Sequence, residues 1–527
     1  MVPFYYIIGK ADEKTMDLKI NRNSTVPIYL QISNGIRDLI LSGMLPAGYR
    51  LPPERKLAEE LQVNRSTVLN AYRELKANGL VDSHVGRGTE VSHGQFTDYG
   101  GDERVEEAKV PVIHPMPWEQ LFSEATLRMQ DTTVRDLLRM AGREDMILFA
   151  AGVTVPGIDS LDALARIQTD VLENHGHNAV HHQPSEGFYP LRESVGQLMK
   201  KREITASAED TMILSGSQQG LDLIARAFID PGDTVFVEEP TFFSAIHIFK
   251  AAGARIIGLP IDKDGMRTDI LDMLLKRFKP KLIYTIPDFQ NPSCAVMSLE
   301  RRKELLSLAH RNQIIILEDD PYGLLRYEGR ALPALKALDG YGNVLYLSTF
   351  SKLLFPGFRV GWVSAPKEVI HRLTIMKQMA DLHTSSLPQL ILDHFLREGL
   401  IDRHLEKANG ENCRRRDILL EQLEASDLDA MSWNEPQGGL YLWCRLPDGM
   451  QQTRLLARAV ENGVSFVPGN TFYPGNPTGN YIRLNFTYPN PSQIKEGVRR
   501  FTKAFNDTLR EQKRYSSARQ ISLGPIL

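Results

Sequence analysis

The stretch Ser348–Trp362, STFSKLLFPGFRVGW, sets one lysine, Lys352, behind hydroxyl residues and ahead of one arginine, Arg359, with apolar runs on either side. An ammonium in such surroundings has two uses. It can lie along apolar neighbours and carry its head out to water. Alternatively its amine is held to form a Schiff base with an aldehyde, while Thr349, Ser351 and Arg359 receive a phosphate of the same molecule.

Four other segments supply what such chemistry needs. LSGSQQG follows an apolar run with Gly216, Ser217, Gln218 and Gly220 and opens the helix-forming LDLIARAF. Backbone N–H groups, a helix dipole and a hydroxyl can converge there on an anion, although an ordinary glycine-rich helix start reads the same. IIILEDDPYG leaves Glu318, Asp319 and Asp320 at the exit of an apolar strand, a costly place for charge unless a cation or donor meets it. One of the three can hold a protonated pyridine nitrogen; a solvated acidic turn is the alternative. PDFQNPS offers Asn291 as a donor to a ring oxygen, though Asn-Pro is also turn chemistry. YIRLNF places Arg483 in a short apolar strand, where its fork can take a substrate carboxylate unless the residue faces solvent.

The elements that position these residues are apolar strand-like runs, TMILSG, DTVFVEEP, ARIIGLP, KLIYTIP, QIIILEDD and NVLYLSTF, alternating with amphipathic helices. Unbroken apolar strands separated by helices predict a mostly parallel sheet covered on both faces, with ligands at the carboxyl ends of its strands. A helical stretch is expected near Trp118–Met140, before DMILFAAG.

Together the tokens FAAG, PSEGFYPLR, SGSQQGLDL, VEEPTF, QNPS, EDDPYG, TFSK…GFRVGW and YIRLNF resemble fold-type I pyridoxal-phosphate aminotransferases over residues 146–505, especially the branch with kynurenine and α-aminoadipate aminotransferases. The resemblance implies pyridoxal 5'-phosphate as cofactor, with Lys352 forming the internal aldimine and Asp319 pairing with the pyridine nitrogen. Asn291 and Tyr322 would contact the ring oxygen, Phe242 would stack on the ring, and Ser217, Gln218, Thr349, Ser351 and Arg359 would hold the phosphate. Arg483 would take the α-carboxylate of an amino acid, beside Asn291. The chain departs from the family pattern at three places. Cys294 stands where a glycine is expected, so the turn after Asn291 is expected to differ in shape. Phe242 replaces a stacking tyrosine, and His182 replaces a tyrosine that reaches the partner subunit's cofactor phosphate.

Residues 24–92 read differently. PIYLQISNGIRDLILSG carries Ile28, Ile32, Ile36, Leu39 and Ile40 at helical spacing and stops at Gly43. LPPERKLAEEL is a second helix opened by proline. RSTVLNAYRELKANG, capped by Asn64 and ended by Gly79, is a third, predicted to bury Val68, Leu69, Tyr72 and Leu75. LVDSHVGRGTEV follows as two short strands around a glycine-rich tip. This helix-turn-helix with a wing offers Arg65, Ser66 and Thr67 at the start of its third helix, Arg73 further along, Arg55 on the second and Gly86-Arg87 at the tip as contacts to double-stranded DNA. A small protein-interaction domain with solvated arginines is the alternative. The wording LPPERKLAEELQVNRSTVLNAYRELKANGLV followed by GRGT resembles the GntR family of bacterial regulators.

Composition bounds the rest. At 527 residues, 42% of them apolar, the chain can bury more than one core. A net charge of -3 excludes a uniformly basic nucleic-acid coat, so DNA binding has to be local. Three dispersed cysteines give neither a disulfide framework nor a metal-ligand pattern, which suits a reducing cytoplasm; no metal, membrane span or secretion signal is expected. The expected organisation is therefore a multidomain α/β chain. A winged helix-turn-helix over 24–92 and a linker over 93–117 precede an aminotransferase-like domain over 118–510. Its sheet-bearing part spans about 150–390 and a smaller α+β subdomain about 391–510. Such a fusion resembles the MocR subfamily of regulators. It implies a homodimeric, pyridoxal-phosphate-dependent regulator that binds operator DNA and senses an amino acid, an amine or the cofactor through an external aldimine. A working aminotransferase with an auxiliary DNA-binding unit, and a cofactor-free scaffold, are the rival readings.

Overall fold

The computed structural model describes residues 26–42, 44–84, 88–92, 118–128, 145–152, 158–429 and 431–522, besides Leu18, Ile20, Asn21, Arg22 and Met116. Two compact units are present, residues 1–115 and 116–527.

In the first unit, helices α1 (Ile28–Leu41), α2 (Glu54–Glu60) and α3 (Arg65–Ala77) precede an antiparallel pair, β1 (Val81–His84) and β2 (Gly88–Val91). Ile32, Ile36 and Ile40 of α1 meet Leu57 of α2 and the inner face of α3. That face is Val68, Ala71, Tyr72 and Leu75, the i, i+3, i+4, i+7 spacing of one helical stripe, so Leu69 is only half-buried and Ala71 takes the place expected for it. The Tyr72 hydroxyl donates to the Pro52 carbonyl at 2.7 Å, pinning α3 to the segment that opens α2. Pro53 and Asn64 stand at the N-caps of α2 and α3, Asn64 without a side-chain capping bond. Gly43 and the wing-tip residues Gly86 and Arg87 lie outside the described residues, as does nearly all of the expected linker. Of the helix expected near Trp118–Met140, two short pieces are described, Trp118–Leu121 and Glu124–Leu127.

In the second unit, β3 (Ile147–Leu148) is followed by the strands of an eight-stranded sheet. These are β4 (Thr211–Leu214), β5 (Thr234–Glu239), β6 (Arg255–Asp262), β7 (Gly265–Met266), β8 (Leu282–Thr285), β9 (Ile315–Asp319), β10 (Val344–Thr349) and β11 (Gly361–Ser364). Their order is β4-β11-β10-β9-β8-β5-β6-β7. Pairings from β10 across to β6 are parallel, whereas β11 runs antiparallel to both its neighbours and β7 antiparallel to β6. Successive residues of one strand enter two different cores: Val235 and Val237 pack in one and Phe236 in the other, as do Leu345 and Leu347 against Val344. This alternation is why the strands are apolar throughout, since both faces of the sheet are covered.

The smaller subdomain is a four-stranded sheet of β12 (Ser432–Trp433), β13 (Tyr441–Arg445), β15 (Val467–Pro468) and β16 (Tyr481–Asn485), ordered β12-β13-β16-β15. A separate strand, β14 (Val464–Ser465), pairs with β3. Ile147 and Phe149 therefore pack in the core of the smaller subdomain.

Candidate active site

The carboxyl ends of parallel strands gather the chemistry. β4 ends at Leu214, just before Ser217, and β5 at Glu239, before Phe242; β8 ends at Thr285, before Asn291; β9 ends on Asp319 and β10 on Thr349. The reversed strand β11 brings its beginning to the same edge, because Gly361 pairs with both Thr349 and Leu214. Arg359, two residues earlier, thereby reaches the same corner as the hydroxyls after β10. A cleft of 760 Å³ opens here, and its walls include Ser217, Gln218, Phe242, Asn291, Asp319, Tyr322, Thr349, Ser351, Lys352, Arg359 and Arg483. The volume lies within the range of about 300–1,000 Å³ for small-molecule sites.

The three consecutive acids take three different partners. Glu318 accepts the N–H groups of Leu335 and Lys336, both at 2.8 Å. Asp320 is met by Arg202 Nε at 2.8 Å and Tyr346 at 3.0 Å, inside a buried cluster where Arg202 also reaches Asp288 at 2.5 Å. Asp319, on the opposite face of the strand, accepts the Tyr284 hydroxyl at 2.7 Å on one oxygen, while the other, Oδ1, is buried without a partner. Burial pushes the Asp319 carboxyl up to about 7, with the Tyr284 hydrogen bond pulling the other way. A buried carboxylate oxygen that lacks a donor is matched by a protonated ring nitrogen, which supplies both the hydrogen and the charge.

Lys352 is half-buried and donates through Nζ to the Gly152 carbonyl. Burial holds its pKa below the ordinary lysine value, and the Arg483 and Arg359 charges act in the same direction while the Tyr441 hydroxyl opposes them. Tyr441 stands at 3.4 Å from both Gly152 O and the Tyr322 hydroxyl, and Tyr322 at 3.4 Å from Asn291 Nδ2. Arg483 lies face-on between aromatic rings, with its guanidinium carbon 4.0 Å from the Tyr441 centroid and 5.1 Å from that of Phe472. Its Nη1 donates to Asn291 Oδ1 at 2.8 Å. Of the two donors on its side edge, Nε is buried without a partner and Nη2 has a 3.5 Å contact to Ala150 O. That edge is the one a carboxylate fills in bidentate fashion.

The phosphate corner is built from short links. Thr349 Oγ1 donates to Ser351 Oγ at 3.0 Å, and Arg359 Nη1 donates to the same oxygen at 3.1 Å. Gly216, at φ +87°, opens the helix Ser217–Phe228, and a Cβ there would come within 2.6 Å of Arg359 Nη2. Only glycine lets the guanidinium lie against the helix N-terminus, where the N–H groups and the positive charge face one anion. Phosphate corner, orphaned carboxylate oxygen, ring-oxygen donors and shielded amine fit pyridoxal 5'-phosphate group by group.

Two departures have visible outcomes. Cys294 adopts φ +56°, the conformation favoured by glycine, so the turn after Asn291 keeps the glycine-type shape where a different one was expected. The buried Cys294 thiol donates to Tyr441 O at 2.9 Å, and burial raises its pKa to about 12, leaving it unreactive. His182 is exposed, 2.9 Å from a ring nitrogen of His383, and does not line the cleft of its own chain. Tyr284, Tyr441, Gly152 and Phe472 went unmarked in the sequence. For Tyr441 a signal existed: it follows Gly438-Gly439, where a Cβ would strike Phe289.

In the first unit, Arg55, Arg65, Ser66 and Arg73 are exposed and Thr67 is half-buried. Arg65 pairs with Glu54 across the turn between α2 and α3, at 2.9 Å. Among the described residues no helix is long and apolar enough to cross a membrane, and no cluster of three or more ligating side chains suits a metal ion.

Residues 28–91 match the family of bacterial regulatory proteins of the gntR type, and residues 145–501 match aminotransferase class I and II. A kynurenine aminotransferase of Pyrococcus horikoshii, solved with PMP, is 38% identical, with a TM-score of 0.70, over 75% of this chain and 99% of that one. An uncharacterized HTH-type transcriptional regulator of Bacillus subtilis, YisV, is 32% identical over 91% of this chain and 96% of its own length. The probable rhizopine catabolism regulatory protein MocR of Rhizobium meliloti is 28% identical over 93% and 96%. The enzyme matches the second unit, whereas the regulators extend across both. By its matched domains and the order in which they stand, the chain belongs to the class I and II aminotransferase family and carries a gntR-family DNA-binding domain at its N-terminal end.

Proposed function

We propose that this chain is a pyridoxal-phosphate-dependent transcription regulator that acts as a homodimer in the cytoplasm, reading operator DNA with α3 and the wing and sensing an amino acid or amine in the second unit. The observation that carries the reading is the pairing, in one chain, of a complete set of cofactor-site residues with a gntR-family domain, and two proteins named as regulators align over more than nine-tenths of that chain.

Bound here, the cofactor supplies an aldehyde that condenses with a primary amine. The protein supplies the remainder. Burial favours a neutral, nucleophilic Lys352 amine, and Gly152 O holds that amine in place. Asp319 keeps the ring nitrogen protonated, Arg359 and the N-terminus of the helix Ser217–Phe228 neutralise the phosphate, and Arg483 orients the carboxylate of the incoming ligand. A ligand amine would compete with Lys352 for the aldehyde that the cofactor supplies. Ligand binding would change DNA affinity to the extent that ligand and DNA favour different states of the chain.

The rival reading, a turning-over aminotransferase, rests on the same residues and on the 38% identity to the kynurenine enzyme. Two assays divide the readings. The regulator predicts cofactor fixed to Lys352 by borohydride, a sequence-specific band shift on the gene's own upstream DNA that amino acids alter, and near-background turnover. Fast turnover, with only salt-sensitive and unspecific DNA binding, would establish the enzyme instead.

A further inference from the structure

Two of the residues assigned to the cofactor ring stand at the ends of different strands: Asp319 closes β9, and Asn291 follows β8. Behind each of them lies a buried carboxylate. Asp320 comes directly after Asp319, and Asp288 comes shortly before Asn291. One buried guanidinium meets both. Arg202, in the 3-10 turn Lys200–Arg202, donates through Nε to Asp320 Oδ2 at 2.8 Å and through Nη2 to Asp288 Oδ2 at 2.5 Å. Its third arm, Nη1, donates to the Leu332 carbonyl at 3.1 Å. The other donors of the cluster serve one side each. The Tyr346 hydroxyl and the Gly323 amide reach Asp320, at 3.0 and 2.8 Å, whereas Arg302 and Arg326 reach Asp288, at 3.0 and 3.5 Å. A Cβ on Gly323 would come within 2.5 Å of Arg202 Nε, so the guanidinium is packed closely on that side as well. Among the described residues, Arg202 is the only side chain bonded to both carboxylates.

We propose that Arg202 is a positioning residue for the cofactor site: through Asp320 and Asp288 it sets Asp319 against the ring nitrogen and Asn291 against the ring oxygen, while touching neither. The inference rests on the cofactor-binding reading and adds to it what fixes the spacing of two ring contacts. A planar fork with donors at set angles holds two carboxylates in a fixed relation, where an ammonium fixes one at a time. Charge acts in the same sense. Burial raises the Asp319 carboxyl most, and the neighbouring Asp320 charge adds to it; Arg202 beside Asp320 offsets that second contribution and so favours the ionised carboxylate that a protonated ring nitrogen needs. Asn291 also accepts from Arg483 at 2.8 Å, so the same support reaches the carboxylate fork.

The test is a set of double-mutant cycles on the full chain, with affinity for pyridoxamine phosphate read by titration calorimetry. This probe keeps the ring and the phosphate but has no aldehyde for Lys352. Arg202→Lys should weaken binding about tenfold or more while its melting curve shows a folded chain. The loss should shrink to about threefold or less once Asp319→Asn and Asn291→Ala are both present, because the contacts that Arg202 positions are then gone. Tyr346→Phe, which loses a bond to Asp320 alone, should couple to Asp319→Asn and be additive with Asn291→Ala. If Arg202→Lys does not fold, Asp288→Asn, which leaves the Arg202–Asp320 pair in place, should couple to Asn291→Ala and be additive with Asp319→Asn. Losses that add in every cycle, or Arg202→Lys binding as tightly as the unaltered chain, would overturn the positioning role and leave the cofactor reading standing. An unaltered chain that binds neither pyridoxamine phosphate nor pyridoxal phosphate would sink the cofactor reading and this inference with it.

Discussion

The two units hold their arginines in opposite circumstances. Arg483 is 3% exposed, clasped between rings, and keeps an N–H with no acceptor. Arg65 has 58% of its side chain in solvent and already holds a carboxylate, Glu54. A buried donor without a partner costs free energy until something meets it, so the second unit is committed to a ligand before the ligand arrives. An exposed, paired arginine exchanges one partner for another and gains little at each exchange. The first unit therefore has to sum many weak contacts, all of them sensitive to salt. Effects should be large and specific in the cleft, and small and cumulative on the DNA face.

Lys352→Ala tests the extreme of that contrast: borohydride should fix no cofactor to the chain by mass spectrometry, while the fold persists, since one hydrogen bond to Gly152 is all the described structure gives the amine. Arg483→Lys keeps the charge and loses the fork. The absorbance response to α-amino acids should weaken about ten- to a hundredfold, the scale of a charge-assisted bond worth about 1.5–3 kcal/mol, with the response to amines that lack a carboxylate unchanged.

Asp319→Asn separates stability from binding. The buried carboxyl titrates near 7 in the cofactor-free chain, against an ordinary 3.8. A raised carboxyl pKa means that ionisation disfavours folding: the cost is absent below about pH 4, grows up to about 7 and is constant above. The substitution should thus raise the melting temperature of the cofactor-free chain more at pH 8 than at pH 5. Cofactor affinity, followed by absorbance titration, should fall about ten- to a hundredfold through the lost charge-assisted bond. Equal melting shifts at the two pH values would mean that Asp319 is already ionised at pH 5.

On the DNA face, Arg65→Ala should weaken the specific band shift by about tenfold and lower the salt slope by about one. Glu54→Gln is the smallest change. It frees Arg65 at a stability cost of about 0–1 kcal/mol and should tighten DNA binding a few-fold. A hundredfold loss from either substitution would erase the contrast between the units.

Much of this arrangement is legible in the sequence because its segments are short and local. Lys352, Arg359 and their hydroxyls sit within one strand-turn-strand, and the gntR-like wording is one unbroken run. Which of three adjacent acids is free was not legible from the acids themselves, since the answer depends on Arg202 and Tyr346 claiming Asp320 and on the amides of Leu335 and Lys336 claiming Glu318. Strand alternation held half of that answer: Asp319 must face opposite to both neighbours. Tyr441 and Phe472 escaped because an aromatic in an apolar strand or turn reads as core until the arginine between them is seen. The pairing of β3 with β14 joins residues more than three hundred positions apart, which no local pattern encodes.

The segment that trails β3 gives the cleft a mechanical side. Three of its carbonyls are read by three donors: Phe149 by the Asn485 amide at 2.7 Å, Ala150 by Arg483, and Gly152 by Lys352. The first belongs to backbone pairing with the smaller subdomain and stays; the other two come from the side chains that a ligand would occupy. Four residues of chain thus behave as a strap with one permanent stitch and two releasable ones. The cofactor would draw Lys352 from Gly152 and a ligand carboxylate would draw Arg483 from Ala150, so the two stitches answer to different partners.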